Sequence, residues 1–397
     1  MMKKIAFTWP QGFFADGIHA GLRKKKLDLG WLYSKEPASA AGVYTTNQFC
    51  AAPTALTKKV ITANHQLQAL IVNSAVANSC TGEQGQKDAK QEQVWVAEKL
   101  GISPKQVGVA STGVIGEFLP MDKLKAGIAS LTLDKNTKLT EAILTTDTHP
   151  KTISFEFEQA GKKCIMTGFC KGSGMIHPNM ATMLGFIVTD AKVDGDLLQE
   201  LLSEQVETSF NQITVDGDTS TNDMVVTLAN GAALKEGPSL VKKSADYQTF
   251  KQVYQAVLEY LAQEIARDGE GASKLVEVLV RGAASKRDAN VVSKAVVGSN
   301  LVKAALFGQD ANWGRIVSAI GQTDAKLAVD KLDITLNQIQ VLKASQKTSY
   351  EEEIVKERLG QDKIVIEVDL HVGKKSGRAW GCDLTYKYVQ INASYRS

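Results

Sequence analysis

A threonine hydroxyl becomes a useful nucleophile only when a base stands beside it. An N-terminal threonine carries that base in its own α-amine, whose unperturbed pKa of about 7.7 to 8.0 lies near working pH. Thr182 is the candidate for this chemistry. It stands in the stretch KGSGMIHPNMATMLGFIVTD, residues 171–190, where Gly172, Ser173 and Gly174 give way to His177-Pro178-Asn179 and then to an apolar run at residues 183–188. That run is short enough to be one buried strand, which would put the hydroxyl at a strand mouth straight after a turn. Cutting the Ala181–Thr182 bond would create the catalyst; uncut, Thr182 is a β-branched residue of the kind strands favour.

A nucleophile that becomes acylated also needs donors for the developing oxyanion, each worth about 3 kcal/mol of barrier. Thr112-Gly113 is the candidate pair, a hydroxyl followed by an unhindered backbone N–H where a short strand, residues 107–110, delivers the chain to Ser111. The alternative is a turn that needs the φ freedom of glycine. His177 could be a general base or a structural turn histidine. The five histidines show no HExxH or paired-ligand spacing, and no metal centre is expected. Asp216, Asp218 and Ser220 open with the spacing of an EF-hand loop, but Thr221 replaces its glycine and Thr227 its closing glutamate, so a polar loop is expected there. Neither a P-loop nor a dinucleotide fingerprint is present. Trp313 and Trp380 read as packing aromatics.

The elements that must position these groups are legible in outline. Residues 69–72 form an apolar run ending at Asn73-Ser74, residues 81–86 read as a loop, and residues 87–100 as a helix stopped by Gly101. Short β-like runs such as residues 42–46 mark the N-terminal part. Residues 196–210 have helical apolar spacing with Asp194 or Asp196 as a cap, residues 224–228 read as a strand, and residues 250–266 are the clearest helix, ended by Asp268-Gly269. A strand at residues 275–280 comes next. Residues 301–307, 327–342 and 364–372 suggest a separate C-terminal α/β unit joined near residue 285. Strands and helices alternate loosely, which leaves α/β and α+β both open.

At 397 residues the chain can bury a large core in two or three domains. Its 44% hydrophobic and 22% charged residues are ordinary for a globular protein, and a net charge of +3 gives no reason to expect nucleic acid or an anionic membrane as partner. The Lys24-Lys25-Lys26 run reads as a solvated turn. Cys50, Cys80, Cys164, Cys170 and Cys382 are odd in number and never in CxxC spacing, so reduced thiols are expected. The N-terminal apolar patch is too short for a signal peptide, and no apolar run approaches a membrane span, so a cytoplasmic protein is expected.

The segment KGSGMIHPNMATMLG resembles the processing site of the ornithine acetyltransferases of arginine biosynthesis, the bifunctional glutamate N-acetyltransferase/amino-acid acetyltransferases. The resemblance extends in order over nearly the whole chain: NSAVANSCTG from Asn73, STGVIGE from Ser111, TTDT from Thr145, VDGDTSTND from Val215, ARDGEGASK from Ala266, FGQDANWGR from Phe307 and AWGCDLTYKYVQINA from Ala379. It implies an α+β fold, a layered αββα sandwich over residues 1–285 with a C-terminal α/β domain at 286–397. It implies self-cleavage between Ala181 and Thr182 into an α chain, 1–181, and a β chain, 182–397, assembled as α2β2.

The same resemblance implies that Thr182 is the nucleophile and that Thr112 and Gly113 hold the oxyanion. It also implies substrate contacts from Thr148 of the TTDT cluster, Lys171, Thr182, Glu270, Asn392 and Ser397. An N-acetylated amino acid presents a carboxylate and ornithine a cationic amine, so the cation Lys171 and the anion Glu270 are chemically suitable. Each could equally be an exposed surface charge. The chain ends in Ser394-Tyr395-Arg396-Ser397 where a Thr-rich ending is expected, so Ser397 is a hydroxyl-for-hydroxyl departure.

The expectation is therefore a self-processing acetyltransferase. It moves the acetyl group of N-acetyl-L-ornithine to L-glutamate through an acetyl-Thr182 intermediate, with no metal or dissociable cofactor required and acetyl-CoA as a second donor where the enzyme is bifunctional. A hydrolase or aminopeptidase with the same nucleophile, and a non-catalytic binding protein, are the rival readings.

Overall fold

The computed structural model describes residues 2–177 and 183–394. The chain divides into two compact units, one of Met1–Gly172, Asn179–Phe210 and Thr219–Leu261, the other of Ser173–Pro178, Asn211–Asp218 and Ala262–Ser397.

The first unit carries strands β1 (Lys3–Ile5), β2 (Phe13–Ile18), β3 (Leu29–Tyr44), β4 (Gln66–Asn73), β5 (Val107–Ser111), β6 (Lys151–Gln159), β7 (Lys162–Lys171), β8 (Leu184–Thr189) and β9 (Met224–Ala229). Its helices are α1 (Ala52–Asn64), α2 (Gly82–Leu100), α3 (Met121–Ser130), α4 (Lys138–Ala142), α5 (Gly195–Val206) and the greater part of α6 (Ala245–Arg267). The strands make one sheet in the order β1-β6-β7-β8-β9-β3-β4-β5, with β2 also paired to β3.

The 16-residue β3 turns this sheet into two layers. Its first part pairs with β2 and β4, its last part with β9, and the register shifts between Tyr33 and Ala38 where Lys35, Glu36 and Pro37 are exposed. Such a bulge bends a strand and re-aims the residues beyond it. One core then collects residues from both halves: Leu32, Leu70, Val72 and Ala110 from one, Phe169, Leu184, Phe186, Val188 and Val226 from the other. Strand alternation sends the neighbours outward. Trp31, Ala69, Ile71 and Val109 pack with Val96 of α2 and Leu124 of α3. A Cβ at Gly168 of β7 would stand 2.5 Å from Val257 of α6, so that helix lies directly on the other outer face. Helix, sheet, sheet, helix is the expected αββα layering.

The free edge of β5 is covered by α1, where Thr57 both donates to the Val109 carbonyl and accepts from its N–H, each at 2.7 Å. An otherwise unpaired edge is thereby satisfied.

In the second unit, β10 (Leu275–Ala283), β11 (Asp333–Leu336), β12 (Ile339–Lys343), β13 (Gln346–Lys347), β14 (Lys363–Asp369) and β15 (Lys375–Cys382) form a mixed sheet, β13-β12-β11-β14-β10-β15. Helices α7 (Lys286–Gly298), α8 (Asn300–Phe307), α9 (Trp313–Gly321), α10 (Glu352–Leu359) and α11 (Tyr386–Ala393) accompany it. Its core joins Val276, Val278 and Val280 to Val292, Val296, Ile364 and Ile366. Because β10 pairs with both β14 and β15, it belongs to this sheet, upstream of the joint expected near residue 285.

Two elements differ from their sequence reading. Residues 82–86, read as loop, open α2; their GEQGQ sequence lacks apolar spacing, yet Gly85 is buried under the Thr81 hydroxyl, where a Cβ would stand 1.9 Å away. The run at residues 42–46 is mostly the end of β3, whose pattern is interrupted by the exposed residues at its bend.

Candidate active site

Alternation along β7 places Lys171 on the same face as Phe169, towards the inner core, and Lys171 sits opposite Leu184 of β8. Thr112 comes directly after β5 on the face of Ala110, the inner-facing residue of the other half. The two meet. Lys171 Nζ donates to Thr112 Oγ1 at 3.2 Å, and both residues are buried.

The position of Thr112 is tightly fixed. Its N–H donates to the Asn73 carbonyl at 3.0 Å, and the Ser111 hydroxyl donates to Asn73 Oδ1 at 2.5 Å. From the other side, Asn222 donates to the carbonyls of Ala77 and Ser111 at 2.6 and 2.8 Å. Gly113 has φ of +131°, and a Cβ there would stand 2.1 Å from the Ala75 carbonyl carbon, so the site requires glycine on both counts. A backbone N–H free of a side chain thus comes straight after the hydroxyl.

Lys171 is embedded in charge. Asp147 accepts from Lys151 Nζ at 2.6 Å, from the Gly172 N–H at 2.7 Å and from the Thr145 N–H at 3.0 Å. Burial alone would raise its carboxyl, but the ammonium groups of Lys151 and Lys171 and the Gly172 hydrogen bond overcome that and hold it well below the usual carboxylate range. Asp147 is therefore an anion beside two cations. Its neighbour Thr148 is exposed, with Oγ1 2.9 Å from His149 Nδ1.

In the second unit, Glu270 is buried in the loop after α6, its N–H bonded to the Ser173 carbonyl at 2.9 Å. Ser173 Oγ in turn donates to the Asp268 carbonyl at 2.6 Å. A Cβ at Gly174 would fall 2.4 Å from the Glu270 carboxyl carbon, so Gly174 is what lets this chain segment lie against the carboxylate. Asn392 Nδ2 donates to Glu270 Oε2 at 2.7 Å. Asp216 of the polar loop accepts from the N–H groups of Met175 and Ile176 at 2.6 and 2.8 Å and from Tyr388 at 3.4 Å. His177 lies 2.9 Å from the Thr214 hydroxyl, and burial, helped by Lys294, lowers its pKa to about 4. It is neutral at physiological pH.

Of the residues singled out from sequence, Thr112, Gly113 and Lys171 are brought together in one unit, and Glu270 and Asn392 in the other. Ala181, Thr182 and Ser397 lie outside the described residues. Asp147, Lys151, Asn222 and Asp223 are not singled out by sequence reasoning, although three of them sit in the blocks TTDT and VDGDTSTND; Asn73 is named there only as the end of an apolar run leading into a functional or turn-forming loop. Among the described residues no three His, Cys, Asp or Glu side chains converge to hold a metal ion, and no helix is long and apolar enough to cross a membrane.

An αββα core with a lysine–threonine contact at facing strand ends is the framework of an enzyme that acts on a small molecule. The ArgJ family model matches residues 14–397, and the chain belongs to that family. It is 58% identical over 393 residues to the arginine biosynthesis bifunctional protein ArgJ of Lactiplantibacillus plantarum, covering 99% of this chain and 97% of that one. The protein of the same name from Listeria monocytogenes is 55% identical over 392 residues, 98% of each chain. A crystal structure of arginine biosynthesis bifunctional protein ArgJ from Bacillus halodurans superposes with a TM-score of 0.52 at 49% identity, covering 54% of this chain and all of that one.

Proposed function

We propose that the protein transfers the acetyl group of N-acetyl-L-ornithine to L-glutamate in arginine biosynthesis, through an acetyl ester on Thr182. The observation that carries this reading is the buried contact of Lys171 with Thr112, which puts a fixed cation beside a hydroxyl and the unhindered Gly113 N–H. The names of the relatives support the pathway.

In this reading Thr182 Oγ first attacks the Ala181 carbonyl, an N-to-O shift gives an ester, and water releases the chains 1–181 and 182–397. The new α-amine then takes the proton of the Thr182 hydroxyl, which attacks the acetyl carbonyl of the donor. Thr112 and Gly113 stabilise the oxyanion. Lys171 attracts the substrate carboxylate, Glu270 with Asn392 attracts the ornithine side-chain amine, and Thr148 and Ser397 add polar contacts. Glutamate then accepts the acetyl group. The reaction needs no metal or dissociable cofactor, acetyl-CoA is a second acetyl donor, and the working assembly is an α2β2 particle in the cytoplasm.

The test is intact mass and N-terminal sequencing of the wild type and Thr182→Ala, followed by the transfer assay. Two fragments, one beginning Thr-Met-Leu-Gly, with transfer activity, both lost in the variant, are expected. An uncut chain that still transfers acetyl would overturn the amine-as-base mechanism. Release of acetate with no acceptor required would make the enzyme a hydrolase.

A further inference from the structure

Three of the five cysteines, Cys164, Cys170 and Cys382, are buried, and the other two, Cys50 and Cys80, are exposed and free. Those two come from segments 30 positions apart, yet both line one cavity of about 610 Å³ in the first unit, between the segment ahead of α1 and the start of α2. Lys59 and Lys90 line the same cavity, and among the described residues no carboxylate does.

The two segments are joined on either side of the thiols. Ser79 Oγ donates to the Phe49 carbonyl at 3.4 Å and stands 4.0 Å from Cys80 Sγ, and the Ala52 N–H donates to the Asn78 carbonyl at 3.4 Å. Cys50 therefore lies between two cross-links to the residues that precede Cys80. Ala75, Asn78 and Cys80 have φ of +92°, +49° and +56°, three left-handed positions in six residues with no glycine among them. Such backbone persists only where its surroundings hold it, and it gathers at functional and switching segments.

Both segments also lead to the seat of Thr112 and Gly113. On one side the Val114 N–H donates to the Ala75 carbonyl, the Ala77 N–H to the Val114 carbonyl and the Gly116 N–H to the Ser79 carbonyl, each at 2.9 Å. On the other, the Ala51 N–H and the Thr54 hydroxyl donate to the Thr221 and Asn222 carbonyls at 2.9 Å, and Asn222 grips the carbonyls of Ala77 and Ser111. Drawing the free thiols into a bond moves one segment or the other, and either movement reaches Ser111 or Val114.

We infer that Cys50 and Cys80 are a dithiol that closes reversibly to a disulfide when a carboxylate-bearing, low-molecular-weight disulfide enters the cavity, and that closure disturbs the seat of the oxyanion donors. The second half of this inference rests on the acetyl-transfer reading above; the thiol chemistry does not. Lys59 and Lys90 attract the anionic reagent. The Cys80 thiolate attacks one of its sulfurs, forming a mixed disulfide and expelling a thiolate. The Cys50 thiolate then attacks Cys80 Sγ, the protein disulfide forms, and the second thiolate leaves. The two cysteines lose two electrons, the reagent gains them, and the two cysteine protons pass to the released thiolates. Cys50 is suited to the second step, because burial pushes its thiol up, with Asp223 adding to this and Lys58 opposing it.

The test exposes the reduced wild type to oxidised glutathione and follows thiol count, intact mass and peptide map. Two of the five thiols should disappear together, no glutathione should remain on the chain, and the map should join Cys50 to Cys80. Cys50→Ser should instead hold one glutathione on Cys80. Oxidised glutathione should react several-fold faster than the cationic disulfide cystamine, with the gap shrinking as salt is added. Acetyl transfer by the oxidised wild type should fall roughly 10²-fold, as for an ångström-scale misplacement, and return with dithiothreitol, while the Cys50→Ser/Cys80→Ser double variant stays active throughout. Glutathione retained on the wild type, or a disulfide between two molecules, would overturn the dithiol. A closed disulfide with undiminished transfer would overturn its effect on the site, and equal rates with both reagents would overturn the role of the lysines. A reduced wild type that transfers no acetyl group overturns the functional reading and leaves the thiol result standing.

Discussion

Lys171 donates to Thr112, and this fixes which way the threonine hydroxyl can act. An ammonium has only protons to give, so Thr112 Oγ1 is the acceptor and its own proton is left to point elsewhere. An oxyanion donor needs that arrangement. The contact also joins the ends of β7 and β5 across the inner core, so the lysine sets both the position and the polarity of the hydroxyl.

Thr112→Ala should therefore lower kcat by about 10²- to 10³-fold with little change in KM, the loss expected for one oxyanion donor. Thr112→Ser, which restores the hydroxyl, should recover most of the rate. Steady-state kinetics of acetyl transfer to glutamate measures both. A KM effect with kcat unchanged would assign Thr112 to substrate binding instead.

Asp147 offers a stability test. Asp147→Asn removes the carboxylate that Lys151, itself 1% exposed, contacts at 2.6 Å, and breaking a buried pair in this way costs about 3–5 kcal/mol. The pH dependence has a definite sign. A carboxyl held below its ordinary value of 3.8 contributes stability that is fully present above that pH and lost as pH falls through the folded-state value. Urea unfolding near neutral pH should show the loss, and the acid-side decline of the wild type should be shallower in the variant.

Glu92 gives the opposite sign. It is fully buried in α2, neither carboxyl oxygen has a hydrogen-bond partner among the described residues, and burial with the nearby Asp88 charge raises its pKa from 4.5 to about 8. The penalty for ionising it is absent below pH 4.5, grows as pH rises, and is complete above about pH 8. Glu92→Met should stabilise the protein by about 1–3 kcal/mol on the alkaline side and by less at low pH, measured by urea unfolding at both ends.

Residue types alone leave most of this site open. Thr112-Gly113 reads by type more readily as a turn and Lys171 as an exposed charge, and the family resemblance is what marks them as candidates for acyl transfer. Glu270 and Asn392 come from the family resemblance, and they bond to each other. Asp147 and Asp223 do not stand out, because a lone aspartate in a polar block looks the same whether it is exposed or buried. What distinguishes them is the pairing of β7 with β8 and of β8 with β9, which depends on contacts distant in sequence. The same holds for β3, whose exposed Lys35, Glu36 and Pro37 look like the end of a strand when they are its bend.

The placing of β8 and β9 bears on what a cut would do. Both strands come after the Lys171–Leu184 interval in the chain, yet they are inserted between β7 and β3, which precede it. The C-terminal piece of a severed chain would thus be zipped into its N-terminal piece along two seams, one against β7 and one against β3. Pulling the pieces apart would mean stripping both seams and opening the inner core at once. A nicked molecule would migrate as one body, divided only by denaturant, and dilution would not exchange its halves.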